Sequence, residues 1–107
     1  MERPSSYKKI YFRNLQTIMK IKKGFVLRQV CGENAITGEG LEAINFNKLL
    51  ALNETAAWLW QQAAEMGDFT VDSLVAKLCE EYEVSEDVAR QDVSNMVNEW
   101  LKVEVIE

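Results

Sequence analysis

The chain contains no histidine, one proline (Pro4) and two cysteines. Each scarcity removes a class of function. Without imidazole there is no His-containing zinc site, no Ser–His or Cys–His nucleophile pair, and no imidazole acid–base step. Cys31 and Cys79 lie far apart, neither with a second cysteine nearby to form a Cys-x-x-Cys pair. Such usage points to a reducing, cytoplasmic setting. No apolar run approaches the roughly 18 to 20 residues needed to cross a bilayer, so no membrane partner is expected. Met1-Glu2-Arg3-Pro4-Ser5-Ser6 lacks the apolar core of a secretory signal. Gly38-x-Gly40 is no phosphate loop, because no helix begins behind it and no Lys-Ser/Thr follows. What remains is 107 residues, 48% apolar and 27% charged, which fits one domain with a modest core, no catalysis and no cofactor.

Cations are scarce over most of the length. Residues 1–28 hold Arg3, Lys8, Lys9, Arg13, Lys20, Lys22, Lys23 and Arg28 against Glu2 alone, a net +7, while the remaining 4 cations and 16 anions give −12. The body repels nucleic acid; the basic arm attracts polyanions or acidic protein surfaces. The favoured reading lays that arm on the protein's own acidic helices.

The hydropathy pattern falls into a short β-rich part and a helical part. Residues 1–24 read as a basic N-terminal extension, and 25–107 as the folded domain. In the extension, Tyr7, Ile10, Tyr11, Leu15 and Ile18 are spaced for a short amphipathic helix, with a strand as the alternative. Phe25–Val30 reads as a strand, Gly32-Glu33-Asn34 as a turn, and Ala35-Ile36-Thr37 as a second strand. Ile44 to Leu50 reads as the third, and the three make an antiparallel sheet. Asn53 is placed to cap a helix running to about Met66, with Glu54 at its positive end and Gly67-Asp68 closing it. Thr70 caps a second helix with the stripe Val71, Leu74, Val75, Leu78, Cys79 and Tyr82. Ser85 caps a third with Ala89, Val93, Met96, Val97, Trp100 and Leu101. The tail Val103 to Ile106 alternates and suits a brief strand. Trp60 and Trp100 fall on core stripes, whereas Trp58 is offset and marks an interface residue.

A small sheet with three helices also describes a DNA-binding winged helix. Over residues 85–102, however, Arg90 and Lys102 face Glu86, Asp87, Asp92 and Glu99. A major-groove reader needs cations for phosphates, and this helix is net negative. A sheet edge beside an amphipathic helix instead suits an extended peptide, which finds unpaired backbone groups and apolar pockets there.

From Phe25 to Ile106 the chain resembles the PqqD family, the precursor-peptide recognition elements of ribosomally made, modified peptides. Phe25-Val26-Leu27-Arg28, Ile44-Asn45, Leu52-Asn53-Glu54-Thr55-Ala56, Trp60, Thr70-Val71-Asp72, Leu74-Val75, Glu81-Tyr82, Asp92-Val93 and Leu101 carry the likeness. The resemblance implies an α+β, winged-helix-like fold: a three-stranded antiparallel sheet followed by a three-helix bundle. It implies a non-catalytic chaperone that binds a leader peptide along the third strand and against the third helix. The peptide is then presented to a modifying enzyme, often a radical S-adenosylmethionine enzyme. Carried to positions, the edge is Ile44, Asn45, Phe46, Asn47, Lys48 and Leu49, with Phe46 or Leu49 giving apolar contact according to register. The groove wall is Arg90, Ser94, Val97 and Leu101, with Arg90 facing an acidic leader residue. The alternatives are a nucleic-acid-associated regulator acting through its basic arm, and an oligomerisation module in which the extension joins a homodimer.

Overall fold

The computed structural model describes residues 17–39 and 50–107. The helix expected over Tyr7–Ile18 falls almost wholly outside them, as do Ile44 to Leu49 of the third strand. The described elements are β1 (Met19–Lys20), β2 (Phe25–Val30), β3 (Glu33–Gly38), β4 (Leu50–Leu52), α1 (Glu54–Met66), β5 (Asp68–Phe69), α2 (Val71–Glu81) and α3 (Glu86–Lys102). The fold is α+β, a three-stranded antiparallel sheet followed by three helices, as the pattern of hydropathy requires.

The sheet runs β2-β3-β4. Phe25↔Gly38 through Val30↔Glu33 register the first hairpin, and Asn34↔Leu52, Ala35↔Ala51 and Ile36↔Leu50 the second pair. The hairpin turn is Cys31-Gly32, one step before the expected Gly32-Glu33-Asn34, and β3 therefore starts at Glu33. Both turn residues have positive φ, 53° at Cys31 and 81° at Gly32. This is the left-handed pair that matches a two-residue turn to the twist of its strands.

Each helix begins where the polar cap lies. The Asn53 side chain accepts from the Ala56 N–H at 2.8 Å. Thr70 and Ser73 form a reciprocal capping box at the start of α2, and the Ser85 hydroxyl accepts from the Val88 N–H. These side chains satisfy donors that the first turn leaves without partners. Gly67, with φ +80°, turns the chain out of α1. At the end of α3, Glu104 N–H donates to the Leu101 carbonyl and Val105 N–H to the Trp100 carbonyl. That paired reversal puts Glu104 at φ +66°.

The core collects Phe25 and Ile36 from the sheet, Leu59, Trp60 and Ala63 from α1, Leu74, Val75 and Leu78 from α2, and Ala89, Val93, Val97 and Trp100 from α3. Trp60 and Trp100 meet edge to face at 5.0 Å between ring centroids. Tyr82 ends the expected α2 stripe, but it is the C-cap and lies exposed.

Residues Met19 to Ile21, assigned to the extension by charge, take part in this core. Met19 is buried and pairs with Phe69, and Ile21 bridges to Ile106. The tail thus adds to β1: Lys20 and Glu107 exchange two backbone hydrogen bonds of 2.9 Å.

Candidate functional site

The edge of the sheet is the natural place to look for unpaired backbone groups. Glu39 N–H donates to the carbonyl of Gly24, the residue opposite it. Hydrogen-bonded and open pairs alternate along an antiparallel ladder. Val26, Arg28 and Val30 therefore bond to β3, while Asn34, Ile36 and Gly38 turn their backbone groups toward β4. Asn34↔Leu52 and Ile36↔Leu50 are then the bonded pairs. The N–H and C=O of Ala51 point away from the sheet, and among the described residues β4 is its last strand.

The third strand expected at Ile44 to Leu50 is, within the described residues, Leu50–Leu52. Alternation at Ile44, Phe46 and Lys48 set that expectation; the part described, Leu50–Leu52, continues past the expected end and lies in the apolar run Leu49-Leu50-Ala51-Leu52 of the sequence. Leu50 and Leu52 pack from one face of β4 against the core cluster, to which Val97 and Trp100 of α3 also belong. The edge and α3 thus rest on one core.

The four wall residues share one flank of α3 but have different surroundings. Val97 is fully buried and Ser94 half-buried, while Leu101 is 37% exposed. Arg90 is the departure from expectation. Its guanidinium donates to Asp72 of α2 and, at 2.7 Å, to Glu86 one turn back on α3. These bonds, that to Asp72 foremost, raise its pKa above the ordinary arginine value. The cation expected to meet an acidic leader residue already holds two carboxylates of its own chain. Nothing in local spacing announces the partner eighteen residues away.

Two features escaped the sequence reading. Trp58, placed at an interface by its offset, packs edge to face on Tyr82 at 5.5 Å between centroids. An open hollow of about 600 Å³ also lies between β2 and α1, lined by Phe25, Leu27, Trp60 and Ala63 among others. Among the described residues no three metal-ligating side chains gather, and no helix is long and apolar enough to cross a membrane.

The sequence model of the PqqD family, Coenzyme PQQ synthesis protein D, matches residues 36–106. The chain belongs to the PqqD family. No curated protein sequence matches it. Among solved structures, TbiB1 in complex with the TbiA(beta) leader peptide is similar at 17% identity and a TM-score of 0.66, over 82% of this chain and 94% of that one. The lasso peptide synthetase B1 complexed with its leader peptide gives 17% and 0.65, over 83% and 96%. The PqqD truncation of Methylobacterium extorquens PqqCD, a stand-alone recognition element for ribosomally synthesised and modified peptides, gives 16% and 0.63, over 84% and 88%. At these identities the likeness establishes a common fold.

Proposed function

We propose that this chain is a recognition element, not an enzyme, that captures the leader of a ribosomally made precursor peptide and presents it to a modifying enzyme. The observation that carries the reading is a PqqD-family sheet whose last described strand turns the Ala51 N–H and C=O outward. An extended peptide satisfies those groups by adding a strand, and apolar side chains alongside supply selectivity. The structural neighbours solved with leader peptides support the same mode of use. The proposed contact surface combines Ile44, Asn45, Phe46, Asn47, Lys48 and Leu49 with Ala51, and takes Ser94 and Leu101 as its helical wall. Val97 supports that wall from the core, and Arg90 joins it as a residue held by Asp72 and Glu86. The proposed recipient is a radical S-adenosylmethionine enzyme, the class the family resemblance implies.

The test is calorimetric titration with a synthetic leader taken from a short reading frame beside the gene. The expected Kd is micromolar or tighter, about −8 kcal/mol at 1 μM. Absence of heat with the leader, together with no complex with the neighbouring enzyme in gel filtration, overturns the proposal. Co-elution with a lasso-type or other enzyme, and not a radical one, reassigns the recipient and leaves the leader reading standing.

A further inference from the structure

The α2–α3 hairpin carries a second open hollow, about 620 Å³, on the side of Asp72 and Arg90. Val75, Ala76, Cys79 and Val84 form its walls, and Asp72, Glu86 and Arg90 its rim. Two rim carboxylates share one guanidinium, so the rim is net negative. Exposed Glu80, Glu81, Glu83 and Asp87 add to that sign, against Lys77 alone over residues 71–87. An apolar hollow rimmed by two carboxylates and one guanidinium, on an acidic stretch of chain, suits a cationic segment that carries apolar side chains, because the two attractions then act together.

The chain supplies such a segment. Residues 1–16 lie outside the described residues; in sequence they hold Arg3, Lys8, Lys9 and Arg13 against Glu2, interleaved with Tyr7, Ile10, Tyr11, Phe12 and Leu15. The described structure also delivers it to the right place. β1 pairs antiparallel with β5 through Met19↔Phe69 and Lys20↔Asp68. Followed toward its N-terminus, the chain therefore runs past Phe69 in the direction of Thr70, the cap of α2, two residues before Asp72. The hollow extends along α2 from Asp72 to Cys79, about 10 Å of helix. Ten residues of extended chain reach about 33 Å, more than that span requires.

We propose that the basic segment Arg3–Arg13 seats on the α2–α3 hollow of its own chain, its cations on the carboxylate rim and its apolar side chains against Val75, Cys79 and Val84. The proposal is independent of the leader-binding reading, which concerns the β4 edge. It is an electrostatically held contact, so it weakens as salt shortens the screening length.

The two native thiols provide the test in the full-length protein. Cys79 lines the hollow, while Cys31 is exposed in the β2–β3 turn and serves as the internal reference. Alkylation by N-ethylmaleimide at low ionic strength is followed at each cysteine by mass spectrometry. Replacing Lys8, Lys9 and Arg13 together by Glu is expected to speed reaction at Cys79 by about an order of magnitude. Cys31 is expected to keep its rate, and about 0.5 M salt to bring the wild type toward the variant. Equal Cys79 rates in wild type and variant, with matching circular dichroism spectra, overturn the proposal. Protection that rises with protein concentration assigns the hollow to a second copy's arm and overturns the intramolecular form. A photo-crosslinking residue substituted for Phe12 gives an independent readout. Adducts within residues 72–90 support the seat, and adducts confined to β2 and α1 overturn it.

Discussion

Glu104 closes α3 in a conformation that ordinarily selects glycine. At φ +66° its Cβ crowds the following carbonyl, a strain on the order of 1 kcal/mol. Glu104→Gly removes that strain, raises the entropy of the unfolded chain, which offsets part of the gain, and gives up only a loose exposed ion pair with Lys22 at 3.9 Å. A net gain of up to about 1 kcal/mol in urea unfolding is expected; a loss would mean that the side chain contributes more than its geometry indicates. Cys31, at φ 53°, is a parallel case, and Asn there suits the turn better. A different residue-scale effect links Arg28 and Glu39. The guanidinium donates to Glu39, and this hydrogen bond holds the carboxyl below its usual pKa. A depressed folded-state pKa adds stability above the unfolded value, and that stability is lost as pH falls through the folded one. The loss of stability on acidification is therefore expected to be shallower in Glu39→Gln than in wild type, read from denaturant midpoints stepped downward from neutral pH. Parallel pH profiles would count against it.

The helices were legible because each begins at a side chain able to satisfy its first turn. Asn53, Thr70 and Ser85 all cap as their chemistry indicates. Asn53→Ala leaves the Ala56 N–H without its acceptor, at an expected cost of about 1 kcal/mol in chemical denaturation. The strands were less legible. Leu49-Leu50-Ala51-Leu52 is an unbroken apolar run, so alternation could not show that β4 reaches Leu52, beside the Asn53 cap. The hairpin turn was displaced by one residue because cysteine is an unusual occupant of a left-handed turn position. β1 and β5, two residues each, carry no period at all; only tertiary contact reveals them. Of the candidate site, the helix carrying Arg90, Ser94, Val97 and Leu101 was legible, but its ion pairs were not, since Arg90 meets Asp72 through folding and not through spacing. Proline offers a direct test of the edge. Ala51→Pro removes the outward N–H and leaves the bonds from Leu50 and Leu52 to β3 in place. The fold is expected to survive, with leader affinity falling at least about tenfold, the equivalent of one hydrogen bond of about 1.4 kcal/mol. Unchanged affinity would remove Ala51 from the binding edge.

At the scale of the whole molecule, one cluster joins the sheet to all three helices, and Trp100 is its largest fully buried side chain. Trp100→Ala opens a cavity and ends the contact with Trp60, at an expected cost of about 3–5 kcal/mol, enough to unfold a marginal domain. Calorimetric melting checks this, and a small shift in Tm would mean that the core relaxes into the space. The same cluster explains why the helical part reads so clearly from sequence: the stripes of α1, α2 and α3 are long enough to repeat. It also draws in Met19, Val105 and Ile106 from the two ends of the described chain. Lys20 and Glu107, joined by a reciprocal pair of backbone hydrogen bonds, stand side by side at those ends. The tail and β1 are therefore clasped backbone to backbone: loosening either strand leaves the other's N–H and C=O groups without partners, so the two are expected to open together.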